Sequence, residues 1–387
     1  MTRSAQADVL VLGLGAMGAA IVYQLARRGL KVIGIDQFSP PHTHGATHGE
    51  TRITREAIGE GLQFVPLVRR SHQLWRELEA ASGERLLTAC GGLIMARAGQ
   101  RSPMHGRPDF LGTTLRAAQE FKIPHQTLDA AAITSRFPQF QLQGDERAYY
   151  EPGAGFLFAE ACVAAQLRLA TQLGARLITN RAARLRTAGT QTVVECDGDE
   201  YRVGTTVIAA GPWLPQLVPS LASRFTVRRQ VMYWFALEAG VSYEPGAFPV
   251  FIWNWGSGAD QVFYGFPQAS GRREIKIATE QDLETTTPQQ VRREVAAAEV
   301  AAMVRRHLLD RLRGVSGECR RAVTCLYTST RDANFLIDWL PDQPDTLAVS
   351  ACSGHGFKHS AAIGEAVADM VESGRTPPVL EPFAMQP

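Results

Sequence analysis

The sequence predicts an α/β fold of two interleaved domains, one doubly wound around a parallel sheet and one built on a mixed sheet. Segments 1–88, 154–220 and 330–387 alternate apolar strand patterns with helical patterns, which is typical of a parallel sheet covered by helices. Segments 89–153 and 221–329 contain mainly strand-like runs. The chain is therefore expected to cross between the domains several times, and a ligand site commonly lies at such an interface.

The composition excludes several classes of function. The 387 residues include 40 Lys and Arg against 38 Asp and Glu, a net charge of +2 that argues against nucleic-acid and membrane-surface binding. No run of apolar residues is long enough to predict a membrane span. The six cysteines form no C-x-x-C pair, so neither a disulfide framework nor a zinc site is predicted. The first residues leave no room for a signal peptide, so we expect a cytoplasmic protein.

The first predicted element is a buried strand, Val9–Leu12, followed by a glycine turn. Gly13, Gly15 and Gly18 follow in the spacing G-x-G-x-x-G. The first glycine allows a tight turn, the second lets the backbone approach a pyrophosphate, and the third lets helix and strand pack closely. A helix is predicted from about Met17, and its free N–H groups and positive dipole end favour phosphate groups.

The second predicted strand, Lys31–Ile35, ends on an acid, Asp36, whose carboxylate can accept hydrogen bonds from ribose hydroxyl groups. With the helix start at Ala16 and Met17, the whole unit predicts a Rossmann-type dinucleotide site. A glycine-rich turn in some other strand–helix–strand unit is the alternative, and the pattern alone does not choose between NAD and FAD.

Three features favour FAD over NAD. The glycine fingerprint lies at the start of the chain, and Thr205–Gly211 reads as a second strand that would pass under the same dinucleotide, although a plain core strand fits equally. A later turn contains Gly354 and Gly356 and leads into a predicted helix over Ser360–Val371. The start of that helix offers N–H groups to the polar end of a flavin ring.

The remaining elements follow from hydrophobic periodicity. Amphipathic helices are predicted over Gln63–Glu79 and Glu160–Gly174, and a charged helix over about Pro288–Leu312. The strand-like runs of the second domain are Gly91–Ala96, Phe225–Leu237, Val250–Trp255, Gln261–Phe266 and Glu274–Ala278.

Four blocks of sequence carry a resemblance to a known family. Besides the fingerprint, they are Pro40–Gly61, Ala322–Asp338 and Ser353–Ser360. Through them the chain resembles the monomeric sarcosine oxidase and N-methyltryptophan oxidase group of covalent flavoprotein amine oxidases, over essentially its whole length. The resemblance implies a monomer with covalent FAD that oxidises the C–N bond of a secondary or N-methyl amino acid to an imine, while O2 is reduced to H2O2. It assigns FAD to the first domain and the substrate to the second.

Two residues match the redox machinery of that family. Cys325 stands where the family attaches its flavin through a thioether, although a cysteine in this setting is otherwise a small buried apolar residue. Lys276, in the run EIKIA, matches a lysine that lies over the flavin and promotes oxygen reduction. A fixed positive charge in a low-dielectric site stabilises the superoxide anion, whereas a strand lysine otherwise points to solvent.

Four more residues are expected to supply charge. Arg55 and Lys358 match the pair that holds the substrate carboxylate, the first as a planar two-donor fork and the second as a point charge. His48 and Arg52, in the run HGETR, match residues near the flavin ring, where a cation can support the reduced flavin anion.

Two tyrosines, Tyr264 and Tyr327, are expected to line the substrate cavity, with plain core packing as the alternative. The complete set of expected cofactor contacts is Gly13, Gly15, Ala16, Met17, Gly18, Asp36, His48, Arg52, Gly211, Cys325, Gly354, Gly356, Phe357 and Lys358.

The chain departs from the family at two places. Glu280 stands where the family carries an active-site histidine, so the charge offered to the substrate changes. Trp253 and Trp255 alternate with Asn254, which places both rings on one side of a strand, where they either stack a larger substrate or pack in the core. Both departures disfavour sarcosine as the best substrate.

Several other functions stay open at this stage. One is a dehydrogenase on the same fold that passes electrons to a quinone or a carrier protein, and another is an oxidase of primary or cyclic amines. A flavin-binding regulatory protein without turnover and an NAD-dependent dehydrogenase are the others, and Cys325 argues against both.

Overall fold

The computed structural model describes residues 7–189 and 191–385. The expectation that no signal peptide is present concerns residues 1–6, which lie outside the described residues. The α-helices of the described ranges are α1 Ala16–Arg27, α2 Val65–Ser82, α3 Phe110–Glu120, α4 Ala130–Arg136, α5 Ala159–Gln172, α6 Leu214–Leu217, α7 Ala297–Met303 and α8 Ser360–Ser373.

The strands fall into two large and two small sheets. In chain order they are β1 Val9–Leu12, β2 Val32–Ile35, β3 Thr51–Thr54, β4 Leu87–Ala89, β5 Gly92–Arg97, β6 Gln126–Asp129, β7 Glu146–Glu151, β8 Gly155–Phe158, β9 Arg176–Ile178, β10 Ala183–Ala188, β11 Gln191–Cys196, β12 Asp199–Tyr201, β13 Thr205–Ile208, β14 Phe225–Leu237, β15 Val250–Asn254, β16 Val262–Gly265, β17 Glu274–Ala278, β18 Val315–Thr330, β19 Leu336–Leu340 and β20 Gln343–Ser350.

The first large sheet has six strands in the order β19-β20-β13-β1-β2-β9. All neighbours are parallel except β19 and β20, which form an antiparallel pair at one edge. Helices α1, α5 and α8 pack together over the sheet, and the small sheet of β10, β11 and β12 joins its core from the other side. Because both faces are covered, the central strands are apolar throughout, as in β1 with its sequence VLVL.

The second large sheet has eight strands in the order β18-β14-β17-β16-β15-β5-β7-β6. Its neighbours are antiparallel except β5 and β15, which run parallel. The small sheet of β3, β8 and β4 contains the segment that begins at Thr51. This architecture confirms the predicted α/β fold with a mixed second sheet. The domain boundaries given above stay a prediction.

One predicted element is wrong in extent. The charged helix expected over about Pro288–Leu312 is limited to α7, followed by one wider helical turn over Val304–Leu308. The preceding carbonyl groups, at 292–294, accept hydrogen bonds from the buried Arg229 guanidinium at 2.8 and 3.0 Å and from Thr324 Oγ1 at 2.9 Å. Those tertiary hydrogen bonds hold 292–294 in a non-helical conformation. The local periodicity of the sequence cannot predict this, because the partners lie elsewhere in the chain.

Trp253, on β15, and Trp255, just after that strand, pack in the core of the eight-stranded sheet. Trp253 is fully buried, with its ring centroid 5.9 Å from Phe140 and 5.6 Å from Phe263. Trp255 donates from Nε1 to Nδ1 of His307 at 3.2 Å. Both rings therefore share one face, as the strand period predicts, but this face lies away from the central cavity described below. Of the two alternatives that the sequence left open, the structure therefore agrees with core packing.

Within the described ranges, no helix is both long enough and apolar enough to cross a membrane.

Candidate functional site

A cavity of about 390 Å³ lies between the two large sheets. It runs from the glycine turn after β1 to the start of α8, and most of the residues that the sequence singled out line it. These are Gly13, Gly15, Ala16, Met17, Asp36, Arg52, Arg55, Gly211, Tyr264, Lys276, Cys325, Tyr327, Gly354, Gly356, Phe357 and Lys358. Gly18, His48 and Glu280 were also predicted to contact the ligands, but they do not line the cavity.

The glycine turn has the geometry of a dinucleotide cradle. Gly13 has φ +91°, and a Cβ there would lie 2.6 Å from the carbonyl oxygen of Ala209. A Cβ on Gly18 would lie 1.7 Å from the carbonyl oxygen of Gly13, so this glycine serves helix–strand packing. A Cβ on Gly15 would meet only Oγ1 of Thr47, at 3.6 Å, so its backbone faces open space. The residues present therefore fit a pyrophosphate at Gly15.

The carboxylate of Asp36 holds the turn and also faces the cavity. Its Oδ2 accepts a hydrogen bond from the N–H of Leu14 at 2.8 Å, and its Oδ1 accepts one from the N–H of Phe38 at 2.8 Å. Nε2 of His42 lies 3.5 Å from Oδ1. Asp36 is therefore fixed at the end of β2, where a ribose would meet it.

The segment before β3 is organised by the guanidinium of Arg52. Nη1 donates to the carbonyl oxygen of Thr51 at 2.8 Å, and Nη2 donates to those of Ala46 and His48 at 2.8 and 2.7 Å. Burial, together with Arg52, lowers the pKa of His48 to about 3, so this imidazole is neutral. The cation of this segment is therefore Arg52, and the position of His48 near the flavin ring stays a prediction.

Cys325 lies on β18, at the junction between this segment and the eight-stranded sheet. Its Sγ donates to the carbonyl oxygen of Ala46 at 3.5 Å and lies 3.9 Å from Nη2 of Arg52. Burial raises the pKa of the thiol, while Arg52 opposes that effect. A cation beside a thiol favours the thiolate, which is the nucleophilic form. A second cysteine, Cys352, also lines the cavity.

Lys276 projects from β17 towards the same segment. Its Nζ donates to the carbonyl oxygens of Gly49 and Thr51 at 2.9 and 2.5 Å and lies 3.9 Å from the ring centroid of Phe266. Burial, and then the nearby Arg52, lowers the pKa of Lys276 well below its usual range. An anion held beside it would restore the charged form.

The hydroxyl groups of Tyr264 and Tyr327 lie 3.3 Å apart on the cavity wall. Burial raises the pKa of both phenols, so both are neutral hydrogen-bonding groups. The prediction that they line a cavity rather than a closed core therefore agrees with their positions.

The turn before α8 approaches the cavity closely. Gly354 has φ +79°, and a Cβ on Gly356 would lie 1.7 Å from the carbonyl oxygen of Ala351. The ring of Phe357 lies parallel to that of Trp75, with centroids 6.1 Å apart. The absence of side chains at these two glycines therefore lets the backbone of the turn border the cavity directly, as the glycine spacing predicts.

A buried carboxylate, which sequence reasoning missed, joins the two predicted carboxylate anchors. Oε2 of Glu60 lies 2.8 Å from Nη2 of Arg55, and Oε1 lies 3.6 Å from Nζ of Lys358. Burial alone would raise the pKa of Glu60, but Arg55 and Lys358 hold it well below its usual range. Burial lowers the pKa of Lys358 to about 8, and Nζ also donates to the carbonyl oxygen of His355 at 2.6 Å. In the sequence, the only indication of this pair is an acidic residue five positions after Arg55.

A histidine, also missed, connects Glu60 with Glu280. Nδ1 of His105 lies 3.2 Å from Oε1 of Glu60, and Nε2 lies 3.9 Å from Oε2 of Glu280. His105 lines the cavity, whereas Glu280 reaches it only through His105. No periodic pattern marks this residue, because it lies at the tip of a turn.

In the described part of the chain, no three His, Cys, Asp or Glu side chains are grouped so as to hold a metal ion, and the six cysteines are free thiols.

Comparisons with known proteins show which proteins this chain is similar to. A family model described as FAD dependent oxidoreductase matches residues 8–370. The monomeric sarcosine oxidase of Streptomyces avermitilis is 39% identical over 376 residues, which cover 95% of this chain and 94% of that protein. The N-methyl-L-tryptophan oxidase of Salmonella heidelberg is 33% identical over 381 residues, covering 98% of each chain.

Two solved structures share the fold at lower identity. NikD, an unusual amino acid oxidase essential for nikkomycin biosynthesis, superposes with a TM-score of 0.84 at 21% identity, covering 98% of this chain and 97% of that one. Glycine oxidase from Geobacillus kaustophilus superposes with a TM-score of 0.77 at 21% identity, covering 98% of each. The chain therefore belongs to the FAD-dependent oxidoreductase family, in the group that contains monomeric sarcosine oxidase and N-methyl-L-tryptophan oxidase.

Proposed function

We propose that this protein is an FAD-dependent oxidase of a secondary or N-methyl amino acid, which converts the C–N bond to an imine and reduces O2 to H2O2. The observation that carries the proposal is the pair Arg55 and Lys358, whose buried cations already share one carboxylate, that of Glu60. The same cavity continues to Lys276 and Cys325. A site with anion anchors at one end and a cation at the other suits an amino acid substrate.

The cofactor half of the proposal rests on the glycine turns. Gly15 and the start of α1 would hold the pyrophosphate of FAD, and Asp36 would bind the ribose. Gly354 and Gly356 would bring backbone N–H groups to the flavin end. The flavin, when bound, supplies the redox chemistry by accepting a hydride equivalent and returning electrons to oxygen.

Covalent attachment is proposed through Cys325. Its thiol lies in the cavity wall beside Arg52, which favours the thiolate that attachment requires. The fixed position of the thiol on β18 would place the ring against the eight-stranded sheet. A monomeric state and a cytoplasmic location remain further parts of the proposal.

The residues around the reacting atoms have separable roles. Arg55 and Lys358 bind the substrate carboxylate and orient the carbon next to nitrogen. The neutral hydroxyl groups of Tyr264 and Tyr327 offer hydrogen bonds to the amine without taking its proton. Lys276 supplies the positive charge that stabilises superoxide, since an anion beside it reverses the effect of burial on its pKa.

A peroxide-coupled screen, run with an oxygen electrode, tests this function. Its substrates are N-methyl amino acids, proline analogues, D-amino acids and larger aromatic amines. Peroxide formed in equal amount to the oxygen consumed, with an N-methyl or cyclic secondary amino acid, supports the proposal. Flavin reduction without oxygen consumption would indicate a dehydrogenase with another acceptor, and the same amines without their carboxylate should react poorly.

A further inference from the structure

The charged groups at the carboxylate end of the cavity form one connected cluster. Arg55 and Lys358 face Glu60, Glu60 faces His105, and His105 faces Glu280. The side chains of Arg55, Lys358 and Glu60 are at most 4% exposed. Charges this deeply buried are poorly screened, so each one affects any ligand bound among them.

The position of His105 is fixed by its turn. The N–H groups of Met104 and Arg107 each donate to the other's carbonyl oxygen, at 3.0 and 2.9 Å, which closes a tight turn with His105 and Gly106 at its tip. His105 has φ +48°, an uncommon conformation for a residue with a side chain. Asn254 Nδ2 holds the turn to the sheet by donating to the carbonyl oxygen of residue 103 at 2.9 Å. The structure therefore holds this imidazole at the cavity in a backbone conformation that costs free energy.

Glu280 is fixed just as firmly behind the imidazole. Its Oε2 accepts a hydrogen bond from the backbone N–H of His105 at 3.1 Å. The next residue, Gln281, exchanges two hydrogen bonds with the side chain of Gln230, at 2.6 and 2.9 Å. The carboxylate thus lies against the turn, while the imidazole stands between it and the cavity.

The imidazole of His105 forms part of the cavity wall. The side chain of His105 is buried, with 7% exposure, and its Nε2 lies on the side of the ring that faces Glu280, 3.9 Å from Oε2. A Cβ built on Gly354 would lie 2.9 Å from that Nε2 and 2.9 Å from the ring of Tyr327. Nε2 therefore faces the backbone turn and the tyrosine that border the expected substrate position.

We propose that His105 and Glu280 determine substrate specificity by setting the charge of the carboxylate site, so that the site accepts one carboxylate and rejects a second. Burial opposes protonation of His105, but Glu280 and Glu60 raise the pKa of its imidazole and favour the cation. Arg55, Lys358 and His105 against Glu60 and Glu280 then leave one net positive charge, which a single substrate carboxylate neutralises. Glu280, whose Oε2 lies 3.9 Å from Nε2 of His105, compensates the charge of the imidazole and would repel a second carboxylate. His105, rather than residue 280, thus supplies the imidazole beside the substrate. This inference rests on the proposed function.

Calorimetry on the holoenzyme tests the inference with two ethers. Neither ether contains an amine that the enzyme could oxidise. Methoxyacetate carries one carboxylate and diglycolate carries two, on otherwise similar frames. The wild type should bind methoxyacetate more tightly. His105→Asn, which retains a residue that tolerates positive φ, should weaken methoxyacetate binding by about tenfold, because one neutralising charge is lost.

The second variant tests the opposite change of charge. Glu280→Gln should strengthen diglycolate binding by about tenfold and change methoxyacetate binding less. The double variant should return methoxyacetate affinity to near the wild-type value, which a merely structural role of either residue would not produce. Glu318→Gln removes one exposed carboxylate on β18 and serves as the matched control.

The outcomes separate this inference from the proposed function. Unchanged methoxyacetate affinity in His105→Asn, or a double variant weaker than either single one, would overturn the inference. Because neither ether is oxidised, a protein that binds methoxyacetate as expected but oxidises no N-methyl amino acid would overturn only the proposed function.

Discussion

Nη2 of Arg55 lies 2.8 Å from Oε2 of Glu60, and the two side chains are 4% and 2% exposed. A buried ion pair costs desolvation of both partners, and this one lies at the end of the cavity where we propose that the substrate carboxylate binds. Lys358 also faces Glu60, so the anchor consists of two cations and one resident carboxylate. A substrate carboxylate entering this site therefore joins an existing charge cluster rather than a bare cation pair.

Arg55→Lys should raise KM for an N-methyl amino acid by roughly 10- to 100-fold, since one charge-assisted hydrogen bond of the two-donor fork is lost. The ammonium keeps Glu60 paired, so the free energy of unfolding should change little. Steady-state kinetics and thermal unfolding measure both effects. Arg69→Lys, at a half-exposed arginine on α2, is the control. An unchanged KM would redirect the search to an amine without a carboxylate.

The affinity for methoxyacetate should fall as pH rises through about 8, where Lys358 loses its proton. Burial depresses this pKa, so the cation that binds carboxylate is present below that pH and is lost above it. A calorimetric titration series across this range measures the change. Lys358→Arg keeps its charge and should shift the fall to higher pH. A wild-type affinity that stays constant through pH 9 would contradict the assignment of Lys358 as an anchor.

Cys325→Ala should release all its flavin on acid precipitation, because no thioether would hold the ring to the protein. Wild-type flavin should remain with the washed pellet. Cys352→Ala is the matched control, since that cysteine also lines the cavity and should be dispensable for attachment. Flavin that stays with the Cys325→Ala pellet, or leaves with the Cys352→Ala supernatant, would move the attachment site.

Lys276→Met should slow flavin reoxidation by oxygen by about 10²- to 10³-fold, the usual loss when one preorganised electrostatic group is removed. Flavin reduction by substrate should be affected less, because the carboxylate anchors remain. Stopped-flow absorbance separates the two half-reactions, and Lys31→Met at an exposed site is the control. An oxidative half-reaction as fast as in the wild type would remove Lys276 from the oxygen site.

Two glycines of the turn after β1 should respond differently to alanine. Gly18→Ala should destabilise the fold by about 3 kcal/mol, because its Cβ would overlap the carbonyl oxygen of Gly13. Gly15→Ala meets nothing closer than 3.6 Å and should fold normally, yet it should bind FAD poorly because the methyl group occupies the phosphate path. Thermal unfolding and flavin content are the two measurements. Equal flavin content in Gly15→Ala and the wild type would place the pyrophosphate elsewhere.

The local sequence pattern correctly predicts those elements whose conformation depends mainly on their own residues. The apolar run of β1, the glycine turn and the strands β14 and β17 follow from period and composition, and the last two have the predicted bounds. The family resemblance then placed Arg55, Lys276 and Cys325 on one cavity, as their side chains are found.

The failures share a physical cause, which is contact between residues far apart in sequence. The helix predicted from Pro288 is shortened because Arg229, on another strand, binds the carbonyl groups at 292–294. His105 reaches the cavity only because a tight turn and Asn254 fix its position. Neither interaction produces a periodic sequence pattern near the residue whose position it fixes.

The most direct test of the central claim is an anaerobic titration of the purified protein with N-methyl amino acids, followed by readmission of air. The visible flavin bands should bleach with one equivalent of substrate and return on aeration with one equivalent of H2O2. Flavin bands that persist through the whole series of amines would contradict the claim that the protein is an amino acid oxidase. Bands that bleach but do not return in air would contradict oxygen as the acceptor.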